Sequence, residues 1–481
     1  MTEPNHVVPV PPADLPATLG ALRAAGHRHR TVKQELRDNL LARMRAGEER
    51  FPGIVGYDDT VLPEVERALL AGHDMVLLGE RGQGKTRLIR ALVGLLDEWT
   101  PVIAGSVLNE HPMRPLTPAS RAQAEAAGDD LPVAWLHRSM RYGEKLATPD
   151  TSVGDLIGDV DPIRVAQGRT LGDPETIHFG LVPRTNRGIF AVNELPDLAE
   201  RIQVALLNVL EERDIQIRGY QLRLPLDLFL VASANPEDYT NRGRIITPLK
   251  DRFGAEVHTH YPIELELELA LIRQEAEPVA EVPEHVLEVL ARFARAVRES
   301  PSVDQRSGVS ARFAIAAAET VAAAALRRSG LLAAGPDGVF EEPVARVGDA
   351  LSVTSTLRGK VEFESGEDGR EVEILAHLLR AATAETYRAR LAGLDTSGFT
   401  ALVDDGKVIE TGELVSSAEL LRQVGTVPGL AKALDRLGMG DAPTPAQAAA
   451  GIEFVLEGLH LTRRLGKDVD ETGRTVYGGR G

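Results

Sequence analysis

The sequence predicts an α/β fold: a parallel sheet with helices on both faces, then a helical subdomain, then a mixed, mainly helical C-terminal region. Three observations carry that reading. Short apolar runs alternate with longer helical patterns between Phe51 and Pro262, a glycine-rich loop at Gly79 joins one such run to a helix, and strand-like runs stop after Pro262 while helical periodicity continues.

Taken in order, the Pro-rich stretch up to Pro16 reads as a loose terminus, and Thr31 to Ala46 as a lead-in helix, giving an N-terminal extension over 1–50. The basic segment HRHRTVKQELRDNLLARMR, His27 to Arg45, is best explained as amphipathic, with Leu36, Leu40, Leu41 and Met44 buried and the arginines in solvent. A sheet-bearing domain is expected over 51–262. Its apolar runs are MVLLG at Met75, TPVIAG at Thr100, GIFAV at Gly188, DLFLVASAN at Asp227 and AEVHTHYP at Ala255, and ligands of such sheets sit beyond the carboxyl ends of the strands. A helical subdomain over 263–333 follows, with helices at Glu264 to Ala276, Pro283 to Glu299 and Ser310 to Arg328, closed by the Gly/Pro break LLAAGPDG at Leu331. The region 334–481 is expected to hold a charged loop ESGEDGRE, a helix near Glu371 to Ala392, a hairpin around Asp404 to Gly406, and helices near Ser417 and Thr444.

Composition narrows the class. Of 481 residues, 43% are hydrophobic and 26% charged, the proportions of a globular chain. No apolar run approaches bilayer-spanning length, and MTEPNHVVPVPPADLP lacks the basic start and apolar stretch of a secretory signal, so no membrane partner and a cytoplasmic location are expected. The absence of cysteine excludes disulfides, thiolate metal sites and a cysteine nucleophile. The 12 histidines form no H-E-x-x-H pair. A net charge of -17 repels a phosphate backbone, so nucleic acid is not expected as a main partner.

The chemistry starts at Gly79-Glu80-Arg81-Gly82-Gln83-Gly84-Lys85-Thr86, which matches the phosphate-binding loop in full and lies between an apolar strand and a helix, as that loop requires. Glycines let successive N–H groups turn toward phosphates, Lys85 adds a cation, and Thr86 offers a hydroxyl to magnesium. ATP and magnesium are the ligands expected there. An ATPase also needs carboxylates to orient the metal and activate water. The run GIFAV ends in Asn193-Glu194, where Glu194 suits the base and Asn193 stands where an acid is expected; a solvated cap is the bland alternative for Glu194. Asp197 lies one turn further on. Asn235 ends DLFLVASAN and suits a side chain that bonds water or the terminal phosphate, although a lone Asn after a strand more often forms a turn. Arg252 in PLKDRF either pairs with Asp251 or reaches a nucleotide held by an adjacent subunit.

Together IVGYDD, GERGQGKT, FGLVPRTNRGIFAVNELPDL, ERDIQIRGYQLRLPLDLFLVASANPEDY and PLKDRFG resemble the AAA+ ATPases of the MoxR and magnesium-chelatase I-subunit branch, over roughly Phe51 to Arg328. The resemblance implies a P-loop AAA+ three-layer domain with a helical lid. It makes Lys85 and Thr86 the Walker A pair, Glu194 the Walker B glutamate, Asn235 sensor 1, Arg252 the arginine finger and Arg312 sensor 2, with Asn193 replacing the Walker B aspartate. It implies an insert at about Asp159 to Gly180 and a hairpin over DIQIRGYQLRL turning at Gly219. It further implies a homo-oligomeric, hexameric ring and a partner with a von Willebrand factor A domain; with no D-x-S-x-S pattern here, that domain is expected on another polypeptide. The function expected is a chaperone-like ATPase that remodels, activates or inserts a metal cofactor into a partner protein. The alternatives are a chelatase-type subunit or a slow nucleotide-controlled scaffold. A sigma-factor activator would need a GAFTGA loop, which is absent, and a helicase would need a basic pore. Because an amide holds magnesium less well than a carboxylate, Asn193→Asp is expected to raise the basal rate.

Overall fold

Parallel strands covered on both faces need apolar residues at successive positions, and the central strands have them. The computed structural model describes residues 9–161, 176–211, 214–217, 220–236, 244–304, 308–335, 338, 340–404, 408–469 and 474–478, in two compact units, 1–260 and 261–481.

In the first unit α1 (Leu19–Ala24), α2 (Val32–Ala46) and α3 (Val61–Ala71) precede β1 (Met75–Leu78) and α4 (Lys85–Ala91). Then come β2 (Trp99–Ile103), α5 (Pro118–Ala127), β3 (Val133–His137), β4 (Tyr142–Leu146), β5 (Gly158–Val160), β6 (Ile177–Phe179) and β7 (Gly188–Asn193). The unit closes with α6 (Glu200–Glu211), β8 (Asp214–Ile217), β9 (Tyr220–Arg223), β10 (Leu228–Ala234), α7 (Thr247–Arg252) and β11 (Ala255–His258). Five strands form one parallel sheet in the order β11-β1-β10-β7-β4.

Alternation along each strand feeds two separate cores. Val76, Leu78, Phe190, Val192, Leu230 and Ala232 face a cluster with Leu156, Ile202 and Leu206. Their neighbours Met75, Leu77, Ile189, Ala191, Phe229 and Val231 face the opposite cluster with Leu36, Leu40, Val65 and Leu88. The three-layer P-loop architecture follows directly from this period of two.

Helix α2 buries Leu36 and Leu40 as expected, whereas Leu41 and Met44 are only half-buried. Arg30, Arg37 and Arg43 are half-buried rather than in solvent because they lie against neighbouring segments, Arg43 bonding Gly94 O and Arg50 O. Thr31 and Gln34 form a capping box at its start, and Gly47 at φ 68° ends it. Leu36 and Leu40 are buried, each contributing about 1.5–3 kcal/mol relative to exposure. A charge is buried with them: Glu35, 4% exposed, takes two hydrogen bonds from Arg141 at 2.6 and 2.7 Å.

One strand assignment is corrected. TPVIAG forms β2, which pairs antiparallel with β3 in a separate two-stranded sheet, and the fifth strand of the parallel sheet is β4, YGEKL. Being at the sheet's edge, β4 needs no continuous apolar run, and it carries Glu144 and Lys145 among half-buried positions.

The expected insert begins and ends in an antiparallel pair, β5 with β6, while residues 162–175 between them lie outside the described residues. Strands β8 and β9 pair as the hairpin with Ile217 opposite Tyr220, and the turn at Gly219 likewise lies outside the described residues.

The second unit holds α8 (Leu265–Glu275), α9 (Glu284–Glu299), α10 (Arg312–Ala334), α11 (Glu371–Arg390) and α12 (Pro445–Leu461). A small sheet joins β12 (Ile409–Thr411), β13 (Gly466–Val469) and β14 (Thr475–Gly478) in the order β12-β14-β13. Its core runs from Leu269 to Tyr477, so side chains on both sides of residue 333 share one interior. The hairpin expected around Asp404 to Gly406 falls largely outside the described residues.

Candidate nucleotide-binding site

The site forms where β1, β7 and β10 end. At the close of β1 the chain enters the glycine loop: Gly79 N–H bonds Ala234 O at 3.2 Å, and Gly82 and Gly84 take φ of 74° and 76°, a left-handed backbone that glycine adopts without strain. Gly79 is required for space. A Cβ there would lie 1.9 Å from Thr259 Oγ1 and 2.2 Å from Gln83 Oε1.

Gln83 braces the loop from inside. Its Oε1 accepts from Glu80 N–H at 3.0 Å and from the Thr259 hydroxyl at 2.8 Å. Tyr57, from the IVGYDD segment, donates to Gln83 O and is 3.0 Å from His260 O. Burial pushes its phenol up to about 12, with the Thr259 and His260 hydrogen bonds acting the other way, so Tyr57 stays a donor at neutral pH. Lys85 is 7% exposed and donates to the carbonyls of Gly79 and of Glu80, the latter at 2.8 Å. Thr86 is half-buried in the first turn of α4, while Arg81 is exposed.

Asn193, 7% exposed, ends β7. Its Nδ2 donates to Glu144 Oε1 on β4 at 2.6 Å, and its Oδ1 accepts from the Ser233 hydroxyl on β10 at 3.2 Å. Glu194 follows in the left-handed region at φ 55°, ψ 49°, a conformation costing a non-glycine residue about 1–2 kcal/mol. Two bonds hold it there: Glu194 N–H to Ser233 Oγ at 3.3 Å, and Asp197 N–H to Glu194 O at 2.9 Å. Asp197 closes a short turn after Glu194.

Burial raises the Glu144 carboxyl, but hydrogen bonds from Arg90, Tyr142 and Asn193 outweigh it and leave the group below its ordinary value. Asn235, 8% exposed just past β10, has an Oδ1 with no hydrogen-bond partner among the described residues. A buried acceptor without a donor is costly, and this one lies at the strand ends beside the loop, which fits a bound water or ligand.

The structure thus brings the loop, Asn193, Glu194 and Asn235 to one end of the sheet. Arg252 ends α7 and is exposed, its guanidinium 3.9 Å from Glu211. Arg312 opens α10 in the second unit and is exposed. Sequence reasoning passed over Glu144, Ser233 and Thr259. Ser233 sits two residues before Asn235 and so shares its side of β10; Glu144 and Thr259 carry no spacing signal.

No family model matches the chain. It is 29% identical over 233 residues to the magnesium-chelatase subunit ChlI of Nostoc sp., covering 47% of this chain and 58% of that protein. The ChlI of Anabaena variabilis is 30% identical over 206 residues, 42% of this chain and 57% of the relative. Against the magnesium-chelatase 38 kDa subunit of Rhodobacter capsulatus the identity is 28% over 367 residues, 73% of this chain and 91% of that subunit. The chain thus spans less than two thirds of the two ChlI relatives. Among solved structures, a BchI–BchD complex of magnesium chelatase aligns at 22% identity over 68% of this chain and 98% of that one, with a TM-score of 0.35. Likeness to the 38 kDa subunit runs through 73% of the chain, and the parallel sheet brings Lys85 and Glu194 to one end, so the chain is similar to the AAA+ proteins of the MoxR and magnesium-chelatase I-subunit branch.

Proposed function

We propose that the protein hydrolyses ATP and, as a homo-oligomeric ring, uses the cycle to remodel, activate or load a metal cofactor into a partner protein. The observation that carries the hydrolase reading is the convergence of Lys85, Glu194 and the partnerless Asn235 oxygen at the strand ends. The Gly79 cradle, too tight for a Cβ, supports close approach of backbone to phosphate.

In this reading the loop N–H groups from Arg81 to Thr86 and the Lys85 ammonium hold the β- and γ-phosphates. Magnesium bound with the nucleotide neutralises phosphate charge, and Thr86 and Asn193 are the groups that would hold it. Glu194 accepts a proton from the attacking water, Asn235 Oδ1 orients that water, and the γ-phosphoryl passes to it as ADP leaves. Arg252 of a neighbouring subunit supplies positive charge at the terminal phosphate, and Arg312 keeps the sensor 2 role that the resemblance implies. A partner carrying a von Willebrand factor A domain completes the working assembly. Among the described residues no helix is long and apolar enough to cross a membrane, and a cytoplasmic site of action is part of the same proposal.

A chelatase-type subunit is the second reading, favoured by the match over 91% of the 38 kDa subunit. Thermal shift tests the shared premise. ATP with magnesium should stabilise the parent and Glu194→Gln, with turnover lost in the latter, and should leave Lys85→Ala unmoved; equal stabilisation of Lys85→Ala would show the site is elsewhere. Affinity capture on Glu194→Gln with ATP then separates the two readings: porphyrin-chelating subunits mean the second, and a protein with a von Willebrand factor A domain but no chelating subunit means the first.

A further inference from the structure

Asn193 removes a negative charge from the end of β7, and the strand beside it holds one in reach. Glu144 lies on β4, and both its oxygens are saturated. Oε1 accepts from Asn193 Nδ2 at 2.6 Å and from an Arg90 terminal nitrogen at 3.1 Å, while Oε2 accepts from Arg90 Nε at 2.9 Å and from the Tyr142 hydroxyl at 2.9 Å. Four donors fill the four lone-pair positions of a carboxylate, so Glu144 is not open to take a metal itself. Its effect passes through Asn193.

An ionised carboxylate only accepts, which leaves the Asn193 amide one orientation, Nδ2 on Glu144 and Oδ1 on Ser233. The remaining bonds then have fixed direction. Ser233 spends its single hydrogen on Asn193 Oδ1, so its lone pair receives the Glu194 N–H. The chain of bonds starts at one negative charge and ends at the backbone of the proposed base, crossing β4, β7 and β10. Successive hydrogen bonds polarise one another, so the Asn193 oxygen carries more negative charge than a free amide's. Its second lone pair is not committed to Ser233.

We propose that Glu144 is the positioning residue of this site: it orients and polarises the Asn193 amide so that Asn193 Oδ1 does the work of the missing carboxylate toward magnesium, and through Ser233 it holds Glu194 in place. This rests on the ATP-hydrolase reading and deepens it. The consequence is specific. An aspartate at 193 with Glu144 retained would set two carboxylates oxygen to oxygen where a 2.6 Å hydrogen bond now stands, so Asn193→Asp raises activity only when residue 144 gives up its charge.

The experiment compares the full chain with Glu144→Gln, Asn193→Asp, the exchange Glu144→Gln/Asn193→Asp, and Arg90→Ala. It reads binding of a ribose-labelled fluorescent ATP in EDTA and across a magnesium titration, with ATP turnover alongside. Glu144→Gln should leave affinity in EDTA unchanged and raise the magnesium needed for half-maximal tightening by about tenfold or more. Asn193→Asp should match or exceed that loss. The exchange should return to within about threefold of the parent, because the amide introduced at position 144 can donate to the carboxylate introduced at position 193. Arg90→Ala breaks the tie to α4 yet keeps the carboxylate on Asn193, so its magnesium dependence should also stay within about threefold. The proposal is overturned if folded Glu144→Gln keeps the parent's magnesium dependence, if Asn193→Asp alone tightens it, or if Arg90→Ala reproduces Glu144→Gln. Should Glu144→Gln fail to fold, the exchange against Asn193→Asp decides. Absence of nucleotide binding in the parent would instead sink the hydrolase reading itself.

Discussion

Replacing Gly79 by alanine tests whether the loop is built around a gap that admits no side chain. The new methyl would sit 1.9 Å from Thr259 Oγ1 and 2.2 Å from Gln83 Oε1, where contacts under 3.0 Å are essentially never seen, so both side chains must retreat by roughly 1 Å. Two hydrogen bonds end on Gln83 Oε1, from the Thr259 hydroxyl at 2.8 Å and from Glu80 N–H at 3.0 Å, with Leu78 O at 3.2 Å the alternative acceptor for the single Thr259 hydroxyl hydrogen. At about 1 kcal/mol net for each, the first unit should lose about 2 kcal/mol. For a unit of this size that lowers Tm by about 4–8 °C. Calorimetry and urea unfolding measure it, and nucleotide binding should weaken in parallel because Glu80 N–H loses its brace. Adding Thr259→Ala removes the nearer clashing atom, so the double variant should be more stable than the sum of the single losses allows. A Gly79→Ala protein within about 1 kcal/mol of the parent, or strict additivity with Thr259→Ala, would refute the packing argument.

Other tests address the charge arrangement. Mixing Arg252→Ala with Glu194→Gln subunits should restore part of the ATP turnover that each lacks alone, since some interfaces then pair an intact Arg252 with an intact Glu194; no recovery in co-assembled mixtures would show that Arg252 does not act across subunits. Glu35→Ala leaves Arg141, only 1% exposed, without its counter-charge and should cost about 3–5 kcal/mol in urea unfolding. A loss under 1 kcal/mol there would mean water reaches Arg141. Burial first, then neighbouring arginines, lower His29 to about 4 and His111 to about 2 from an ordinary 6.5. The unfolded chain therefore takes up protons that the folded one refuses, so their contribution is intact above pH 6.5 and declines as pH falls toward the folded values. His29→Gln/His111→Gln should flatten the fall of the urea midpoint between about pH 6.5 and 4.5, and an unchanged slope would contradict it.

What could be read in advance follows from how locally each feature is specified. The glycine loop at Gly79 to Gly84 was legible as a turn because its backbone conformation dictates glycine at set spacings. Strands β1, β7 and β10 were legible because burial on both faces demands unbroken apolar runs. Strand β4 was not, since an edge strand with half-buried positions tolerates Glu144 and Lys145, whereas TPVIAG imitates a core strand while pairing with β3. The Glu144–Asn193 bond joins residues 49 apart, and no periodicity encodes a contact set by sheet order. Glu35 escaped for a similar reason: helical spacing marks its side of α2 as buried, but only the fold supplies Arg141 opposite.

The attachment of α2 has a further consequence. The helix shares a core with β1 and β10, its Glu35 neutralises Arg141 ahead of the edge strand, and its first N–H bonds Asp227 at 2.9 Å ahead of β10. It cannot fray without exposing apolar surface and stranding a buried guanidinium. Its interior amides should therefore exchange with deuterium as slowly as those of β1, opening only when the whole unit opens. The cooperative folding unit should then include Thr31 to Ala46, which lie before the first recognisable motif, and a chain cut to begin at Phe51 would keep every motif and lose much of its protection.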